Sequence, residues 1–226
     1  MTFPYKIIDL THPLSPTIPT WDGSCGFEHH LQHDYQPSST TSFRTHRVHM
    51  NEGIGTHIDA PAHCIPGGKT IDELNLNDLL APCLVIDVSA KAHERYSVTV
   101  ADIEVFEEKY GLIKPGSFII VRTGWEKFWS EPEKYRGNLV YPCVSVDAAQ
   151  FLLKRDIAGL GIDTLSPDRP DEGFPVHTTL LSAGKYIVEN IANSANLPPV
   201  GFYSLALPIK IQGGTEAPVR LIAIGE

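Results

Sequence analysis

The segment Gly55-Thr56-His57-Ile58-Asp59-Ala60-Pro61-Ala62-His63 carries the densest set of reactive side chains in the sequence. In extended chain, successive side chains point to opposite faces, so His57 and Asp59 share one face and Ile58 takes the other. An imidazole and a carboxylate placed this way can approach one divalent ion. Pro61 biases Ala60 towards an extended backbone and fixes the turn that follows. Gly55 permits close backbone packing beside the pair. His63 then returns towards the same cavity, with an ordinary pKa of about 6.5 that suits proton transfer near neutrality. A bound metal would lower the pKa of water and polarise a carbonyl. Zinc takes nitrogen and carboxylate ligands, and manganese tolerates a more oxygen-rich shell. The same residues also fit a plain turn, with His57 hydrogen-bonded to Asp59 and His63 on the surface.

Two distant residues bear on that choice. His177 lies on the approach to Thr179–Ala192, whose pattern predicts a long helix carrying Glu189. A helix over this stretch, at about 3.6 residues per turn, lets both side chains meet the central cavity. Taken alone, a helix-start histidine and a solvated helix glutamate account for them as well.

The elements that must position these groups form an α/β pattern. Strands are predicted at 5–10, 43–50, 84–88, 117–123, 158–164, 201–207 and 219–224, and further helices at 99–110 and 146–155. Residues 22–42 are polar and turn-rich, which fits either an active-site lid or a solvated loop. No Ser/Gly-rich or charged linker divides the chain, so residues 1–226 read as one domain.

With 18 basic and 27 acidic residues the formal charge is −9, which argues against nucleic acid or an anionic membrane as partner. No run is long enough to span a bilayer, and the first residues do not resemble a secretion signal. Cys25, Cys64, Cys83 and Cys143 are widely spaced and form no C-x-x-C unit, so reduced thiols in a cytoplasmic enzyme are expected. Other chemistries fit less well. Cys64 directly follows His63 and points away from it in extended chain. No Gly-x-Ser-x-Gly context supports a serine hydrolase. Residues 63–70 (HCIPGGKT) lack the spacing of a phosphate loop, and Gly67-Gly68 reads as a turn beside the site.

The sequence resembles the cyclase-like metal-dependent hydrolase family, which includes bacterial kynurenine formamidase and isatin hydrolase. The resemblance runs through DLTHPLSPTIPTW at 9–21, GTHIDAPAH at 55–63, PGSFIIVRTGW at 115–125, GIDTLSPD at 161–168, FPVHTTLL at 174–181 and IVEN at 187–190. It implies a swivelling β/β/α domain with mixed sheets and flanking helices. It further implies that His57, Asp59, His177 and Glu189 are metal ligands, that His63 is the catalytic histidine, and that Trp21 forms an aromatic wall for substrate. A homodimer or homotetramer is implied too. One departure stands out: the signature HxGTHxDxPxH has a histidine where this chain has Gly53. Among nearby residues, His49 and Glu52 are the candidates to compensate. A single zinc or manganese ion on Asp59, His177 and Glu189, with His57 contributing, is therefore expected rather than an intact zinc pair. The expected reaction is hydrolysis of a small amide-like carbonyl compound, with arylformamides such as N-formylkynurenine foremost. A cyclic-amide or lactone hydrolase, a cyclase or dehydratase, or an inactive ligand-binding relative are the alternatives.

Overall fold

Phe118-Ile119-Ile120-Val121 is apolar on both faces, which suits a strand covered on both sides. It lies mid-sheet in the computed structural model, which describes residues 4–36 and 42–226. In chain order the strands are β1 (Lys6–Asp9), β2 (Phe27–His33), β3 (Thr45–Met50), β4 (His57–Asp59), β5 (Leu80–Asp87) and β6 (Ser97–Val98). They continue as β7 (Phe118–Arg122), β8 (Cys143–Val144), β9 (Gly159–Ile162), β10 (Tyr186–Glu189), β11 (Phe202–Pro208) and β12 (Glu216–Gly225). The helices are α1 (Leu76–Leu79), α2 (Val100–Tyr110), α3 (Pro132–Arg136), α4 (Val146–Lys154) and α5 (Pro175–Ser182).

Among the described residues, an eight-stranded sheet runs in the order β1-β12-β11-β5-β7-β9-β10-β4. A further pairing of β4 with β12 closes it into a barrel. Strands β5, β7, β9 and β10 are mutually parallel and the remaining pairings are antiparallel, so the sheet is mixed. Side chains alternate across its wall. Ile58, Val85, Phe118, Ile120, Val188 and Leu221 pack inside the barrel. Ile119, Val121, Leu160, Ile162 and Ile187 face outward under α2, α4 and α5. Truncating a fully buried member such as Ile120 to alanine costs about 2–5 kcal/mol. The α/β architecture with a mixed sheet and flanking helices is the expected one.

Two local expectations are corrected. The stretch 179–192 is not one helix. Helix α5 ends at Ser182, the chain turns through Ala183-Gly184, and Tyr186–Glu189 forms strand β10 beside β9. The physical reason is that Gly184 adopts a left-handed φ of 75°, while the apolar, partly β-branched run Tyr186-Ile187-Val188 is buried on both faces. His177 accordingly sits within α5, not before it. Residues 22–42 are not a plain loop either, since Phe27–His33 pairs with Thr45–Met50 as an antiparallel ribbon. Residues 37–41 of that segment lie outside the described residues.

Strand β4 carries the site. Ile58 is in the barrel core, so alternation turns His57 and Asp59 to the outer face. There β4 lies between β10 and β12, with His57 opposite Glu189 on one side and Asp59 opposite Glu216 on the other. Directly opposed residues of antiparallel strands hold their Cβ atoms about 4.5–5.5 Å apart, so these pairings bring four polar side chains together. Ala60 stays extended (φ −84°, ψ 161°) and Pro61 opens a single 3-10 turn ending at His63, as the proline predicts. Helix α5 packs against both β10 and this turn, which delivers His177. Among the described residues no helix is long and apolar enough to cross a membrane. The four cysteines are unpaired.

Candidate metal centre

His57, Asp59, His177 and Glu189 converge and are all buried. His57 Nε2 lies 3.5 Å from Asp59 Oδ1 and 3.3 Å from Glu189 Oε2. His177 Nε2 lies 3.4 Å from Asp59 Oδ2 and 3.3 Å from Glu189 Oε1. The two carboxylates thus bridge the two imidazoles. Candidate ligand atoms of His57, Asp59 and Glu189 fall within 4.8 Å of one another. With ligand bonds of about 2.0–2.2 Å, tetrahedral ligand atoms around one ion stand roughly 3.4 Å apart, and the spacings here match.

Hydrogen-bond accounting points the same way. Both oxygens of Asp59 and Oε1 of Glu189 are buried without a hydrogen-bond partner. An unpaired buried carboxylate is costly, and a cation is what such a cluster lacks. The residues present fit a divalent ion.

The surrounding residues fix each imidazole. A carbonyl can only accept, so His57 Nδ1 donates to Gly55 O at 2.9 Å and turns Nε2 towards the carboxylates, where its lone pair serves an ion once the Nε2 proton is displaced. Gly55 O also accepts from Asn190 Nδ2 at 2.9 Å, and Asn190 Oδ1 accepts from the Tyr135 hydroxyl at 2.9 Å. Asn190 turns the chain out of β10 with a left-handed φ of 55°, a region asparagine enters more readily than most residues. Asp168 does the equivalent service for His177. Its Oδ2 accepts hydrogen bonds from His177 Nδ1 at 2.7 Å and from the His177 backbone N–H at 2.9 Å, and its Oδ1 accepts from Val176 N at 3.0 Å.

Charge is concentrated here. Burial opposes a proton on His57, but Glu189, Asp59 and Glu216 prevail and push its pKa up to about 10. Burial opposes it on His177 as well, and Asp168, Asp59 and Glu189 again hold that pKa well above the usual range. For Glu189, burial raises the carboxyl while His177 and His57 bring it down to about 2. Asp59 is raised by burial and by the neighbouring Glu189 charge. A cation entering the cluster competes with the histidine protons.

A cavity of about 360 Å³ opens onto the cluster. Its chemical wall is His57, His63, His177, Glu189 and Glu216, and Trp21, Phe174 and Leu165 supply apolar surface. Trp21 and Phe174 approach with ring centroids 6.0 Å apart and remain 40% and 44% exposed, as befits a mouth. Trp21 is tied down by Arg136, whose Nε donates to its carbonyl at 2.8 Å. The described part of 22–42 lines no part of this cavity.

His63 lies at the cavity edge with its side chain 32% exposed, its Nδ1 3.3 Å from Glu216 Oε2 and its ring 5.9 Å from that of His177. The structure therefore gathers His57, Asp59, His63, His177 and Glu189, with Trp21 at the mouth of the cavity they face. Neither candidate to compensate for Gly53 enters the cluster. His49 is exposed on β3, and Glu52 spends its carboxylate on the Thr215 and Glu216 backbone N–H groups. Sequence reasoning missed Glu216, Asp168 and Phe174. Asp168 and Phe174 sit inside the GIDTLSPD and FPVHTTLL motifs. Glu216 has a fainter signal, a carboxylate beginning a closing strand that is apolar apart from Arg220.

Comparison with known proteins places this geometry in a family. The profile described as "Putative cyclase" matches residues 8–169, well over half of the chain. The isatin hydrolase of Roseibium aggregatum is 29% identical over 242 residues, covering 97% of this chain and 91% of that protein. The kynurenine formamidase of Salinibacter ruber is 26% identical over 220 residues, covering 96% of each. The solved isatin hydrolase A of Ralstonia solanacearum superposes with a TM-score of 0.87 at 28% identity, over 98% of this chain and 92% of that one. The chain belongs to the cyclase family.

Proposed function

We propose that this protein is a divalent-metal-dependent hydrolase that opens a carbon–nitrogen bond next to the carbonyl of a small aromatic compound. The observation that carries the reading is the buried Asp59–Glu189 pair, with three unpartnered oxygens between two oriented imidazoles, beside an aromatic-mouthed cavity. Arylformamides such as N-formylkynurenine are the leading substrates. Cyclic amides of the isatin kind are the second reading, supported by the similarity to isatin hydrolases over nearly the full chain.

His57, Asp59, His177 and Glu189 would hold the ion, zinc or manganese by their donor types. When bound, it would polarise the substrate carbonyl and acidify water beside it. The chain's own residues do the rest. Trp21 and Phe174 present ring faces to the substrate at the mouth. Glu216 holds His63 through Nδ1, which leaves Nε2 to take a proton from water and return it to the departing nitrogen. Burial of the cluster strengthens every charge interaction within it. The working form in this reading is a homodimer or homotetramer. Metal-reconstituted protein assayed against N-formylkynurenine, isatin and simple lactones tests the reading.

A further inference from the structure

Gly53 and Glu216 occupy one place between them. A Cβ built on Gly53 would lie 2.0 Å from Glu216 Oε1 and 2.9 Å from its Cδ, and its three nearest neighbours are all atoms of the Glu216 carboxylate. The backbone at Gly53 lies outside the left-handed region, so the chain does not require glycine there for its conformation. What the missing side chain provides is room. Glu216 fills that room and points into the cluster, with Oε1 3.8 Å from His57 Nε2 and Oε2 3.3 Å from His63 Nδ1. The β12–β4 register sets it opposite Asp59. Glu52 steadies it from behind by accepting the Thr215 and Glu216 N–H groups at 3.0 and 3.4 Å.

We propose that Glu216 is itself a ligand of the divalent ion, replacing the histidine that the family signature carries at position 53. The centre is then built from three carboxylates, Asp59, Glu189 and Glu216, with His57 and His177. That is an oxygen-rich shell of the kind manganese tolerates. The inference rests on the metal-dependent reading above and adds a ligand to it.

The test is metal binding rather than turnover. Chelator-stripped protein is titrated with Mn(II) by calorimetry, and metal content is measured after dialysis. Glu216→Gln and Glu216→Ala should each weaken binding at least about 100-fold, beyond the 10–100-fold typical of residues that only orient a ligand. Adding Gly53→His to Glu216→Ala should recover at least about tenfold, because the obstructing carboxylate is gone and an imidazole takes its place. Binding within about threefold of wild type in both single variants, or a loss that Gly53→His leaves unrepaired, would overturn the proposal. Should the variants fail to fold, crystals of the unmodified protein soaked in Mn(II) decide it: a Glu216 oxygen bonded to the ion is expected, and a Glu216 that contacts only His63 sinks the idea. A wild-type chain that takes up no divalent ion at all defeats the metal-dependent reading itself. Wild-type uptake that Asp59→Asn abolishes and both Glu216 variants leave intact defeats this inference alone.

Discussion

Glu189 stands directly opposite His57 in the β10–β4 ladder, and the two side chains meet at 3.3 Å between Oε2 and Nε2. The site is therefore a property of strand register. A slip of one residue would turn His57 and Asp59 into the barrel and Ile58 out of it. Replacing Glu189 by glutamine keeps the size and removes the charge. It should lower metal affinity and turnover by at least about 100-fold while leaving the fold intact. Metal analysis alongside a circular-dichroism spectrum checks this, and wild-type metal content in Glu189→Gln would contradict it.

His63 should separate chemistry from metal binding. Removing a proton-transfer group costs typically about 10²–10⁴-fold in rate. His63→Ala should lose turnover on that scale and keep its metal. A variant that loses most of its metal would instead make His63 a ligand.

Asp168 reaches the cluster only through His177. Asp168→Asn retains an acceptor but no longer fixes the His177 proton on Nδ1 with a full charge, so metal affinity should fall about 10–100-fold. Asp168→Ala also strands the buried Val176 and His177 N–H groups, adding about 1–3 kcal/mol of destabilisation for each group left unpaired. Calorimetric titration and thermal unfolding of the two variants separate these effects.

The metal-free protein should lose stability as the solution becomes alkaline. His57 binds its proton more tightly folded than unfolded, with its pKa raised to about 10. Its contribution is complete below the unfolded value of about 6.5 and disappears as pH rises through about 10. A cation in the cluster takes over the proton's role, so the loaded protein should show a flatter profile and a metal affinity that rises with pH. Melting temperatures of both forms between pH 6 and pH 10, a range set by these roughly 6.5 and 10 limits, test the difference; parallel curves would argue against it.

Trp21→Ala should raise KM for an aromatic substrate by roughly 3–10-fold, the equivalent of about 0.5–1.5 kcal/mol of ring contact, with kcat little changed. An unaltered KM would remove Trp21 from substrate binding and leave it a surface anchor held by Arg136.

Much of this site could be read along the chain because its centre is local. The alternation His57-Ile58-Asp59 and the proline after it state the geometry of β4, and the structure follows them closely. Glu189 was harder. Tyr186-Ile187-Val188 is a short, fully apolar run, and such runs fit a buried strand or a buried helix equally by periodicity. The decisive local facts are the glycine at 184 and the β-branched pair Ile187-Val188. Glu216 lay beyond reach for a different reason. Its relation to Gly53 exists only through the β12–β4 pairing, which joins the end of the chain to its first third. No spacing rule spans that distance, so along the chain Gly53 reads as a lost ligand, and only the fold sets the Glu216 carboxylate in the space beside it. Strand β3 falls within the extended stretch read at 43–50, but its partner β2 is mostly polar and exposed, which hides the period of an ordinary half-buried strand.

If the cluster binds a divalent ion and uses it to hydrolyse an amide-like carbonyl, turnover must follow the metal. The most direct measurement is turnover of N-formylkynurenine and isatin by chelator-treated protein before and after adding Zn(II) or Mn(II), with Asp59→Asn in parallel. Hydrolysis of at least one of them is expected, restored by metal in the wild type and absent in Asp59→Asn. Metal-replete wild-type protein with no action on formamides, cyclic amides or lactones would contradict it.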